Sequence, residues 1–161
     1  MARPNMKTAL ALLAVIAVAA MIFLFSAQEG DDSSELSGRV TGAVLSVLMP
    51  GFRQMSAAER QPYLERWGLV IRKLAHFSEY ALLGMTLVNF LRLEVRGKRM
   101  RILLLLAWAA AAAYACTDEL HQMYVSDRAA AVTDVCIDAA GAFTGALLAS
   151  VWFKLRALKR K

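Results

Sequence analysis

Little of the equipment of soluble enzymes is found in this chain. There are only two histidines and two cysteines among 161 residues. His-Glu-x-x-His does not occur, and "HFSE" with "DELHQ" is only a weak substitute for the usual three-ligand zinc site. Gly-x-Ser-x-Gly is missing too, and Ser78 has no convincing base beside it, which argues against serine hydrolase chemistry. No run of basic residues interleaved with aromatics supports nucleic acid as a partner. No internal repeat is evident, and low complexity is confined to the alanines of 109–113. Two cysteines cannot build a disulfide framework. Cys116 and Cys136 are expected as two small buried thiols, with a disulfide between them as the alternative. No metal and no cofactor is expected.

What is present is apolar surface. With 58% hydrophobic residues and a mean hydropathy of +0.46, the chain exceeds an ordinary soluble domain and reads as one membrane domain over 1–161. Residues 8–27 carry no charge over twenty positions, the length that crosses about 30 Å of hydrocarbon as a helix. A signal peptide is the rival reading, but "FSAQ" lacks a small-x-small cleavage pattern, so an uncleaved first helix is expected. Three further spans follow at 67–91, 101–117 and 135–153. The third is short unless it extends into the polar residues at its ends. The expected fold is all-α, a bundle of four transmembrane helices with a long outer loop at 28–66. Within that loop, 26–39 is polar and turn-prone, 40–52 is apolar enough to lie on the membrane or against the bundle, and Pro50-Gly51 breaks any helix. "SAAE", Ser56 to Glu59, has the spacing of a capping box and predicts a helix start that continues past Pro62 into the second span.

Charge orients the bundle. Segments 1–7, 92–101 and 154–161 hold twelve of the 19 Lys and Arg but a single acid, Glu94. The positive-inside bias therefore places both termini and the second connection in the cytoplasm. The acidic remainder lies on the outer side, so the overall charge of +6 is a matter of topology.

The unusual residues are those inside the spans. On the second, Arg72, His76 and Glu79 fall within about 60° of one another, and Lys73 and Tyr80 widen the stripe to about 120°. On the fourth, Asp134, Asp138, Gly141 and Gly145 share a face, and Gly141-x-x-x-Gly145 permits close helix approach. "TDELHQMYVSDR" at 117–128 adds Asp118, Glu119, Gln122 and Arg128. A charge at the bilayer centre costs roughly 2.5 to 3.5 kcal/mol. So many charges are sustainable only if they face one another or water, which predicts a shared polar cavity opening outward. His121 is expected to face solvent or the membrane surface.

Two stretches, "RKLAHFSEYALLG" and "TDELHQMYVSDRAAAVTDVCIDAAGAFTG", resemble the signature blocks of the VanZ-like family of bacterial membrane proteins. "FSAQEGDDSSELSGR" resembles the first loop of many members, so the likeness covers nearly the whole chain. Carried over by position, the resemblance selects Lys73, His76, Phe77, Glu79 and Tyr80 in the first block. In the second it selects Asp118, Glu119, Gln122, Arg128, Asp134, Asp138, Gly141 and Gly145. Where the family usually has Pro-Gly before the Arg, this chain has Ser126-Asp127. The resemblance implies the bacterial cytoplasmic membrane. It also implies a cell-envelope role, since the founding member is associated with low-level teicoplanin resistance.

Three functions fit the residues. In the first, the cavity binds an anionic lipid or lipid-linked cell-wall precursor headgroup through Arg72, Lys73 and Arg128, with the polar residues named above lining it. In the second, the protein is an intramembrane hydrolase or transferase, and His76, Glu79 and Glu119 are acid/base or metal-binding groups. In the third, the same residues line a transport path. Clustering of the charges in the outer half disfavours transport, and headgroup binding requires the fewest assumptions. The oligomeric state is open.

Overall fold

In the computed structural model, which describes residues 5–27, 30–95, 97–123 and 131–159, every long element is an α-helix. No strand occurs among the described residues. Helix α1 is Met6–Ser26, α2 Gly30–Leu48, α3 Ala57–Glu94, α4 Met100–Gln122 and α5 Val132–Leu158, with a 3-10 turn at Phe52–Gln54. Helix α3 is the hub and packs against each of the other four.

Local chemistry sets the helix starts. The Asn5 side chain accepts from the Lys7 amide and caps α1. The expected capping box opens α3: the Ser56 amide donates to the Glu59 carboxylate at 2.7 Å, and the Ser56 hydroxyl accepts from the Glu59 amide. Helix α3 then runs through Pro62, giving up the backbone bond that proline cannot donate. Its 38 residues make a rod of about 57 Å, long enough to hold the 67–91 segment and still project well past it.

Segment 28–66, expected as a long loop with a helix start at Ser56, holds a further helix. Helix α2 occupies Gly30–Leu48, and the turn at Pro50 and Gly51 follows it, with Gly51 at φ 85, a left-handed conformation glycine adopts without a Cβ penalty. Thr41 and Leu45, one turn apart, are buried, and Gly42 and Thr41 lie against Leu64 and Gly68 of α3. That i, i+4 stripe gives a chain of otherwise turn-prone composition a reason to be helical: one face is covered by α3.

Three helices, α1, α4 and α5, are long and apolar enough to cross a membrane. Helix α4 reaches that length by continuing through Asp118 to Gln122. Helix α3 is not among them, because Arg72, Lys73, His76 and Glu79 interrupt its apolar sequence. Large apolar side chains such as Leu13, Leu24, Leu105, Leu148 and Trp152 point outward from the bundle, the surface that hydrocarbon would cover. The two cysteines are free, and both are exposed rather than buried.

Candidate functional site

Helices α3 and α5 run side by side in the same direction, and their contacts form a register. Lys73 meets Asp134, His76 meets Asp138, Gly141 lies on Phe77, Gly145 on Ala81, and Arg92 covers the Phe153 ring. The glycines set the spacing. A Cβ added at Gly141 would run into the Phe77 carbonyl oxygen, and one at Gly145 into that of Ala81. Gly84 of α3 supplies the reciprocal contact on the Ala142 carbonyl. Such small positions let two backbones meet directly, the principal source of helix adhesion when the surroundings are as apolar as the helices.

Helix α4 completes the frame with its own small stripe. Ala107, Ala111 and Ala115 are all fully buried, with Asp118, Glu119 and Gln122 continuing the same face. Trp108 Nε1 donates to the Ala139 carbonyl at 3.0 Å and fixes α4 against α5. Helix α1 closes the side: Tyr114 donates to the Ala19 carbonyl at 2.8 Å, and Gln122 Nε2 donates to Ser26 Oγ at 2.6 Å.

The end of the bundle that holds Ser26, Gln122 and Asp134 contains a cavity of about 300 Å³, at the lower limit for small-molecule sites. Its polar wall is formed by Arg72, Lys73 and His76 of α3, Glu119 and Gln122 of α4, and Asp134 and Asp138 of α5, with Thr133 joining them. Leu69 and Ile137 supply apolar wall. A second cavity of about 360 Å³ lies between α2 and α3, and Leu69 and Arg72 border both.

The charged groups have different partners. Lys73 Nζ lies 2.6 Å from Asp134 Oδ1, each side chain slightly under half exposed. Glu119 accepts from the Ala131 amide at 2.6 Å and so ties the end of α4 to the start of α5. Asp138 is 4% exposed and its Oδ1 has no hydrogen-bond donor; the His76 Nδ1 atom stands 4.0 Å away. Arg72 has no hydrogen-bond or ion-pair partner among the described residues.

A second polar group lies beside the cavity, further into the bundle. Tyr80 is fully buried and donates to Asp118 Oδ2 at 3.3 Å, while Asp118 Oδ1 is buried without a partner. Glu79, half-buried, precedes Tyr80 on α3. The expected residues thus divide into a cavity wall and an inner Glu79, Tyr80 and Asp118 cluster. Arg128 and the Ser126-Asp127 sequence lie outside the described residues. No group of three or more His, Cys, Asp and Glu able to hold a metal ion occurs among the described residues.

His121 departs from expectation. It stacks on Phe23 of α1 with ring centroids 4.7 Å apart, and its Nε2 atom is buried rather than facing solvent or the membrane surface. Three contributors escape a reading by motif. Ser26 has the look of a span terminus, Thr133 precedes the acidic pair, and Gly84 follows Ala81 by three residues rather than the four that small-xxx-small requires. A hydroxyl ending an apolar span beside a Gln-bearing helix end was the available signal for Ser26.

The sequence model of the family described as VanZ/LLP1 matches residues 11–153, which takes in every helix that forms the site. No curated protein and no solved structure matches the chain.

Proposed function

The chain belongs to the VanZ/LLP1 family, and from that premise we propose that it is a single-domain cell-envelope protein binding the anionic headgroup of a lipid or lipid-linked cell-wall precursor. In this reading α3 crosses the membrane as the second of four spans, with α1, α4 and α5 as the others, both termini are cytoplasmic, and the cavity faces outward from the bacterial cytoplasmic membrane. The charge bias of 1–7, 92–101 and 154–161 supports that orientation. So does the geometry, since the cavity is at the opposite end of α3 from Arg92 and of α4 from Arg101.

The observation that carries the reading is Arg72. Its guanidinium belongs to a residue with no partner among the described residues, on the wall of a cavity large enough for a headgroup. Guanidinium is the side chain best suited to hold phosphate or carboxylate through paired N–H donors. Lys73 is engaged by Asp134 and is a secondary contributor. A link to glycopeptide protection rests on the family and is tested directly. In a teicoplanin-sensitive Gram-positive host, wild-type protein is expected to raise the tolerated concentration. Arg72→Gln, present at the same membrane level, is expected not to. Equal protection by the variant would remove the anion site from that role.

A further inference from the structure

The cavity wall is not matched to an anion alone. Beyond the Lys73–Asp134 pair at 2.6 Å and the Ala131 amide on Glu119, two groups on it still lack a hydrogen-bond partner. One is Arg72, a cation without a partner among the described residues. The other is Asp138, 4% exposed, which has the His76 Nδ1 atom 4.0 Å away but no hydrogen-bond donor on its Oδ1. A purely anionic ligand would answer Arg72 but leave the buried Asp138 oxygen unsatisfied, which is costly in a low-dielectric site. A purely cationic ligand reverses the fault. We propose that the ligand group is zwitterionic, with its anionic oxygens on Arg72 and a primary ammonium on Asp138. The inference rests on the headgroup-binding reading above and specifies its chemistry.

The ammonium must carry hydrogens. Asp138 needs a donor within bonding distance, and His76 Nδ1 at 4.0 Å is outside hydrogen-bond range. A trimethylated ammonium offers charge without N–H and cannot close that gap. The chemistry therefore distinguishes phosphoethanolamine from phosphocholine. It is met equally by the headgroup of a membrane lipid and by a free amino-acid zwitterion, two sources of one pattern.

Full-length protein in detergent would be titrated with glycerophosphoethanolamine, glycerophosphocholine, glycerophosphoglycerol, ethanolamine and alanine, and binding read by calorimetry. Glycerophosphoethanolamine is expected to bind about 10-fold or more tighter than glycerophosphoglycerol, the equivalent of one charge-assisted hydrogen bond. Glycerophosphocholine and ethanolamine are expected to be weaker as well. Alanine binding as tightly would support the same pattern and assign it to a free zwitterion. Asp138→Asn is expected to collapse the ratio between the ethanolamine and glycerol esters toward one. The wild-type series decides the matter even if that variant does not fold. Equal affinity for the two esters in wild type, or a preference that survives in folded Asp138→Asn, would overturn the ammonium assignment and leave the anion site standing. No binding of any phosphate ester would overturn the headgroup reading, and no binding of alanine either would overturn the zwitterion with it.

Discussion

The two ends of the α3–α5 contact are built on the same register but hold different chemistry. At one end the paired positions are Lys73 with Asp134 and His76 with Asp138. At the other, Val88, Ala107 and Ala146 are buried together, Ser150 is the buried polar residue among those described, and Arg92 lies over the Phe153 ring. Between them Gly84, Gly141 and Gly145 hold the backbones together. The difference teaches that polarity at the first end is not an unavoidable feature of how these helices meet. The same helices pack without buried charge a few turns away, so the charges at the cavity end answer to something other than helix contact, the role that the headgroup proposal gives them.

The largest effect is expected from breaking the shared part. Gly145→Leu places a side chain on the Ala81 backbone, which cannot yield as a flexible side chain would. A loss of about 3 kcal/mol or more is expected, with little folded protein recovered. A normal thermal unfolding curve in detergent would mean the glycine register does not hold the bundle. Next comes the inner polar cluster. Tyr80→Phe removes the one donor to Asp118 Oδ2 while Oδ1 is already unpartnered, and a cost of about 1–3 kcal/mol is expected by the same measurement. An unchanged melting temperature would place Asp118 among the ligand-facing groups.

Smaller effects sharpen the contrast. Lys73→Ala breaks a pair whose side chains are slightly under half exposed, so stability should change by less than about 1 kcal/mol. A larger loss would make that end a structural clamp. The smallest effect belongs to the start of α3. The Ser56 amide, and then its hydroxyl, hold the Glu59 carboxyl below its ordinary 4.5. A folded value below the unfolded one means that its contribution is present above the unfolded value and lost as pH falls through the folded one. Acid titration of stability should show this component in wild type and lack it in Glu59→Gln, with the cavity end unaffected.

How much of this was legible depended on whether a local pattern existed. Ser56 and Glu59 carry their own geometry in their spacing, and the α3 start follows from it. Gly141 and Gly145 announce a close approach, although their partner surface, Phe77 and Ala81, is set only by the fold. Helix α2 was hidden because Gly30, Ser33, Ser34 and Gly38 imitate a turn-rich loop. Its helicity depends on cover from α3, which no local propensity reports. His121 was misplaced for a related reason: a polar residue near a helix end suggests water, and the Phe23 ring that covers it comes from a helix almost a hundred residues earlier. The division of the polar residues into a cavity wall and a Tyr80–Asp118 cluster likewise requires the crossing of α3 and α4, which periodicity within one helix does not supply.

The central claim is that the charged cavity opens on the outer face of the membrane. Thr133 lines it, and Arg101 stands at the far end of α4. With Cys116 and Cys136 replaced by alanine, single cysteines at 133 and 101 would be exposed to a membrane-impermeant maleimide in intact cells. The account predicts labelling at 133 without permeabilisation and at 101 only after it. Labelling at 101 in intact cells, with 133 protected until the membrane is opened, would turn the cavity toward the cytoplasm and contradict it.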